Sequence, residues 1–174
     1  QPLLRPGPTV AVMAEGQRRI CQAILEGLRE NTGQTPVVLL SGDDADGQSD
    51  VAAYVAAQLR LQLHCMHAED LPANPAELDA LAILWQREAA LLGAMLLVQC
   101  RDLAPPTAVT HLAERSGSPL FIAGRELPSL KRATLRLAVS KPDSAEQKQL
   151  WQEVLGVAAS RLNGSLDGVA SQFR

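Results

Sequence analysis

Apolar positions along this chain follow two rhythms. In residues 37–41, 94–98 and 119–123 nearly every position is apolar, as in strands of a parallel sheet covered on both faces. Leu61, Leu63 and Cys65 alternate with Gln62 and His64, and Leu135, Leu137 and Val139 alternate with Arg136 and Ala138. These two segments read as strands nearer the sheet edges. Between the strands the apolar residues recur at helical spacing: Ile20, Ile24, Leu25 and Leu28 within residues 9–30, Val51, Val55 and Leu59, and a stripe from Leu78 through Leu81, Ala82, Trp85, Ala89 and Leu92 to Gly93. Asn74-Pro75 supplies a cap and a proline at the first helical position of that stripe. A shorter helix is expected from Val109 to Ser116. Ser144-Ala145-Glu146-Gln147 reads as a capping box ahead of Leu150, Trp151, Val154 and Leu155. Residues 1–8 carry Pro2, Pro6 and Pro8 and read as an extended, weakly ordered lead-in. Strand alternating with helix predicts an α/β fold with right-handed crossovers.

Composition narrows the function more than the fold. With 174 residues, 47% hydrophobic and 20% charged, the chain is expected to form one main domain. A net charge of -3 and 3% aromatic content give no footprint for nucleic acid. Cys21, Cys65 and Cys100 are widely spaced and odd in number, which suits reduced thiols and a cytoplasmic setting. No apolar run reaches membrane-spanning length. The chain opens on Gln1, which suggests processing or a piece of something longer.

The chemistry concentrates where the first buried strand runs into Gly42-Asp43-Asp44-Ala45-Asp46-Gly47-Gln48-Ser49. This is the frame of the phosphate loop GxxxxGK[S/T], in which backbone amides wrap the phosphates, a lysine reaches the β and γ groups and the hydroxyl ligates Mg²⁺. Gly42, Gly47 and Ser49 are in place, but Gln48 stands where the lysine belongs and three aspartates lie between the glycines. A charge pair at about 4 Å is worth roughly 4 kcal/mol at an effective dielectric near 20, so exchanging attraction for repulsion is expected to cripple anion binding. The partner motif of such ATPases is an apolar strand ending in an acid that holds Mg²⁺. Here that strand ends in Gln99 and Cys100, and neither can do this work. Asp102 lies outside the register and reads as a solvent-facing loop residue.

Other constellations are weaker. His64-Cys65-Met66-His67 contains zinc-ligand types, yet neighbours on a strand point to opposite faces and no second ligand pair recurs, so no metal is expected. Asp44, Asp46 and Gly47 echo a calcium loop that would need a bidentate glutamate where Ala53 stands. His111 shows no nucleophile nearby in sequence.

The frame Gly42 to Ser49, the strand at Met95 to Val98, the run of residues 84–94 before it, and Pro142 to Gln147 with Leu150-Trp151 together resemble an AAA+ ATPase module. The likeness is to the degenerate first module of bacterial AAA+ proteins that carry an intact module further on, some of them associated with contractile injection systems, and it spans about residues 10–174. It implies a P-loop NTPase-like, parallel five-stranded sheet in the order 5-1-4-3-2 with helices on both faces. It also implies an N-terminal extension and helix at 1–34, an α/β core at 35–156 and the beginning of a helical lid at 157–174, around Leu166, Val169 and Phe173. The family's polar sensor falls near Gly124 and Arg125, and Arg125 or Arg132 could complete a neighbour's site in trans, although a solvated surface arginine is the favoured reading. The resemblance implies an architectural role: assembly, regulation or partner binding beside a further AAA+ module of the same chain or neighbouring subunits, with no cofactor, nucleic acid or membrane partner. The rival is a slow or unconventional ATPase that holds ATP and Mg²⁺ through backbone amides and Ser49. A third reading makes Gly42 and Gly47 only a tight strand-to-helix turn.

Overall fold

The computed structural model describes residues 3–10, 12–31, 33, 35–101 and 107–155. Elements appear in the order β1 (Arg5–Pro6), α1 (Glu15–Glu30), β2 (Val37–Ser41), α2 (Ala45–Gln58), β3 (Gln62–His67), a 3-10 turn (Ala68–Asp70), α3 (Pro75–Leu92), β4 (Ala94–Gln99), α4 (Thr107–Arg115), β5 (Leu120–Gly124), β6 (Thr134–Ala138) and α5 (Ser144–Leu155). Asp102 and residues 157–174 lie outside the described residues.

The sheet has six strands in the order β1-β3-β4-β5-β2-β6. Pairs β3–β4, β4–β5, β5–β2 and β2–β6 are parallel, while β1 pairs with β3 antiparallel. The parallel strands taken alone run β6-β2-β5-β4-β3. An all-parallel sheet of five strands is therefore corrected to a mixed sheet of six, because the lead-in adds an edge. Arg5 and Pro6 register against Cys65 and His64, and the Gly7 amide donates to the Leu63 carbonyl at 2.8 Å. A proline is tolerated there because an edge strand has one side without ladder bonds.

The continuous apolar runs arise because each central strand feeds two cores. Val37, Leu39, Leu96, Val98, Leu120 and Ile122 pack with residues of α3 and α4 on one face. Val38, Leu40, Met95, Leu97, Phe121 and Ala123 pack with α1 and α2 on the other. Alternation of successive side chains thus builds a helix–sheet–helix sandwich. In α3, Asn74 Oδ1 accepts from the Ala76 amide at 3.0 Å, Pro75 opens the helix and Gly93 closes it at φ 62°. Helix α1 begins at Glu15, later than the expected residue 9.

The capping box of α5 sits one residue earlier than expected. Asp143 Oδ1 accepts from the amides of Ala145 and Glu146 at 2.9 and 2.8 Å, and Glu146 Oε2 accepts from the Asp143 amide at 3.2 Å. The shift lets Glu146 Oε1 also accept from the Gly16 amide at 2.8 Å, tying α5 to the first turn of α1.

Candidate functional site

The parallel strands β2, β4 and β5 end on the same side of the sheet, where α/β folds place ligands. A cleft of about 400 Å³ opens there, lined by Gly42, Asp43, Ala45, Asp46, Gln48, Gln99 to Arg101 and Ala123 to Arg125. Gly42, Gln48, Gln99, Cys100 and Arg125 are thus brought together, with Ser49 behind them through its bond to Gln99.

Strand β2 ends at Ser41 and α2 begins at Ala45, so only Gly42, Asp43 and Asp44 bridge them. Gly47, Gln48 and Ser49, expected to belong to a phosphate-wrapping loop, are helical. Their amides are engaged within the chain. Asp44 is the cap: its Oδ1 accepts from the Gly47 amide at 3.1 Å, and its carbonyl accepts from the Gln48 amide at 2.9 Å. The Gly42 amide donates to the Gly124 carbonyl at 3.2 Å. A helix N-terminus attracts anions through its unpaired amides and its dipole. Here a carboxylate of the same chain holds that place.

The glycines have local reasons to be glycine. Gly42 lies at φ 138°, and a Cβ there would come 2.0 Å from the Val139 carbonyl oxygen. A Cβ on Gly47 would come 2.2 Å from Asp44 Oδ2 and 2.6 Å from Gln17 Nε2. The spacing that resembles a phosphate loop is thereby accounted for by a tight turn and by room for the capping carboxylate.

Gln48, in the lysine position, is 2% exposed and donates from Nε2 to the Gly42 carbonyl at 3.1 Å. It folds back to close the turn. Ser49 Oγ donates to the Ala45 carbonyl at 2.8 Å and accepts from Gln99 Nε2 at 2.9 Å. The Ser49 hydroxyl and the Gln99 amide at the end of β4 are thus bonded to each other. Burial pushes the Cys100 thiol up to about 11, leaving it protonated and unreactive. Asp50, one turn along α2 from Asp46, has its carboxyl raised by burial and by Asp46 and Asp44.

The two arginines part company. Arg125 is exposed at the cleft. Arg132 instead donates through Nη1 to the carbonyls of Ala113, at 2.8 Å, and Ser116, and through Nη2 to that of Thr35. These carbonyls end α4 and precede β2, at the opposite end of the sheet from Gly42, so Arg132 clamps segments of its own chain and does not line the cleft as Arg125 does. His64 meets Trp85 edge-on with centroids 5.8 Å apart, while Cys65 joins the core on the other sheet face. Among the described residues no group of three or more His, Cys, Asp or Glu side chains could hold a metal ion. His111 Nε2 bonds Asp79 Oδ1 at 2.8 Å, and Arg115 Nε approaches the same oxygen at 3.2 Å, joining α4 to α3. The Asp44 cap escaped the sequence reading although an aspartate three residues before Gly47 carries that signal. His67 also took on a role that the metal reading had obscured: it lies between Arg5 and Arg101.

Residues 143–174 match the contractile injection system ATPase helical domain. No curated protein matches the chain. Among solved structures it is similar to the AAA domain of FIGL-1 in complex with ADP, with a TM-score of 0.58 at 15% identity, covering 98% of this chain and 70% of that one. It is also similar to PCH-2 of C. elegans, with a TM-score of 0.50 at 12% identity, covering 90% of this chain and 53% of that one. Rhizobiales Trip13 gives 0.49 at 14% identity, covering 94% and 79%. At such identities the likeness is one of fold. No helix among the described residues is long and apolar enough to cross a membrane. The chain has the fold of an AAA+ ATPase-like module, and its last residues match a helical domain found in ATPases of contractile injection systems.

Proposed function

We propose that this chain is a degenerate AAA+ ATPase-like module whose nucleotide site is closed by its own side chains, and that it serves a larger AAA+ ATPase as an assembly, regulatory or partner-binding domain. The observation that carries this reading is the Asp44 carboxylate on the Gly47 amide. An entering phosphate would have to displace a charged cap and then sit among Asp43, Asp44 and Asp46 without the lysine that normally offsets its charge. The bond from Gln99 to Ser49 removes the Mg²⁺ position in the same way.

Support for an architectural role comes from α5. Trp151 and Val154 are 45% and 62% exposed, and no residue of this helix is buried. On this reading residues 157–174 open the helical lid, and they lie, with α5, within the stretch that matches the contractile injection system helical domain. The partners would be a further AAA+ module of the same protein or neighbouring subunits.

The rival reading, a slow ATPase, draws on the cleft of about 400 Å³ flanked by Arg101 and Arg125. Thermal melts separate the two. A ligand at 100 times its dissociation constant adds about 2.7 kcal/mol, so an occupied site would raise the melting temperature in millimolar Mg·ATP beyond the rise in equal inorganic phosphate. The proposal expects no such ATP-specific rise and no phosphate release. Sedimentation of the chain joined to its natural neighbours tests the assembly role, and a strictly monomeric product would refute it.

A further inference from the structure

Helix α3 is apolar on two sides. Leu78, Ala82, Trp85 and Ala89 are buried against the sheet, as an amphipathic helix requires. On the outward side Ile83, Leu84, Leu91 and Leu92 are 70%, 53%, 73% and 54% exposed. Single exposed leucines are ordinary on a protein surface, but a group of four large apolar side chains on one helix marks a contact surface.

This outward face has two unlike flanks. Leu84 and Leu91 are seven residues apart and stand nearly one above the other. At about 100° per residue, Arg87 falls roughly 50° to one side of the line joining them and Glu88 roughly 50° to the other. Ile83 lies further round on the Arg87 flank. On the Glu88 flank a groove of about 120 Å³ is lined by Leu4, Leu81, Leu84, Trp85 and Glu88, and its helical residues bracket the height of Ile83. Base and protruding side chain are thus on one flank, acid and groove on the other. Within the chain Arg87 Nη2 is 3.4 Å from Glu88 Oε1. Successive residues of a helix point to different sides and both of these are well exposed, so that pair holds neither firmly.

We propose that this face binds a second copy of the chain, the two α3 helices lying side by side and parallel about a two-fold axis that runs along them. That operator sets each flank against the opposite flank of the other copy. Leu84 meets the partner's Leu84 and Leu91 the partner's Leu91 on the axis, Arg87 faces the partner's Glu88 twice over, and each Ile83 enters the other copy's groove. The face is self-complementary in charge and in shape, as a two-fold interface requires. An antiparallel pair would turn like flank to like flank and set Arg87 against the partner's Arg87, which repulsion disfavours. Interfaces below about 1,200 Å² of buried surface belong to weak, transient contacts; with so few side chains in its core, this dimer is expected to dissociate in the micromolar range. The inference does not rest on the reading of the glycine turn, because α3 packs on the sheet face opposite α2.

The test is sedimentation equilibrium of the chain over a concentration series across the micromolar range. Expected is a monomer–dimer equilibrium. Leu91→Lys is expected to abolish it and leave the melting temperature of the monomer unchanged, since Leu91 is exposed and a cation suits the last turn of a helix. Arg87→Glu and Glu88→Arg are each expected to weaken association about tenfold, because two attractive pairs become repulsive, and the double exchange to restore it. Cys21, Cys65 and Cys100 are buried, so a chain carrying Leu91→Cys presents a new accessible thiol on the axis and is expected to give a disulfide-linked dimer on mild oxidation. A chain that stays monomeric, a dimer that survives Leu91→Lys, or a Leu91→Cys chain that does not cross-link would overturn the proposal. Association that both single exchanges leave intact would mean an antiparallel pair, and association that the double exchange fails to restore would mean another partner surface; either result overturns it as well.

Discussion

Gln99 donates from Nε2 to Ser49 Oγ at 2.9 Å, bonding a β4 strand end to the second turn of α2. On the proposed reading the neutral pair holds a position that in an active ATPase belongs to a metal. If the contact is structural, Gln99→Ala and Ser49→Ala should each cost about 0.5–1.5 kcal/mol, the usual worth of a neutral hydrogen bond. Chemical denaturation of the double variant should then show less than the summed loss, since the two changes remove one shared bond.

Gly47 is expected to tolerate alanine poorly for a reason unrelated to ligands. An added methyl would come 2.2 Å from Asp44 Oδ2. Asp44→Ala alone should cost about 1 kcal/mol through loss of the helix cap. Gly47→Ala should cost more in the natural background than beside Asp44→Ala, a coupling readable from the same denaturation series.

Arg132 is predicted to matter for folding and Arg125 is not. Replacing Arg132 by Met removes its bonds to the carbonyls of Ala113, Ser116 and Thr35. Bonds to charged groups are worth about 1.5–3 kcal/mol each, so a loss of at least about 2 kcal/mol is expected. Arg125→Ala, at an exposed position, should leave the melting temperature unchanged.

Asp50 carries a raised carboxyl because burial, Asp46 and Asp44 all disfavour its charge. A carboxyl raised in the folded state binds its proton more tightly than in the unfolded chain, so its contribution falls as pH rises from 3.8 through the folded value. Asp50→Asn is therefore expected to be more stable than the natural protein at pH 7. The gap should close as pH drops below 3.8, which melts across a pH series would show.

Glu146 fastens α5 to α1 through the Gly16 amide, with Arg18 and Glu153 3.3 Å apart further along. Glu146→Ala should accelerate hydrogen exchange at Gly16 and across α5 while leaving β2 and β5 protected, because those strands lie in cores to which α5 contributes no buried residue.

The central strands were legible because being covered on both faces leaves an unmistakable mark: Val38 and Leu39 enter different cores, so both must be apolar. The edge strand was not, since Arg5 and Pro6 are too few for a period and one is a proline. The box ahead of α5 slipped by a residue because Asp143 and Ser144 are both cap formers, and only the contact of Glu146 with Gly16 decides between them. At the candidate site the aspartates were read as repulsive charge and as an incomplete calcium loop. Asp44 is a hydrogen-bonding cap, and a side chain on Gly47 would collide with it. The partners of Arg132 lie on separate segments, one of them Thr35, and no local pattern encodes them.

The central claim is that the α2 N-terminus is already occupied by Asp44. It is tested most directly by following the backbone amides of Gly42, Gly47, Gln48 and Ser49 by NMR during titration with Mg·ATP. The account predicts no saturable shift at these amides at millimolar nucleotide. Saturable shifts at Gly47 and Ser49, lost in a Ser49→Ala variant, would show a triphosphate seated on the turn and would contradict it.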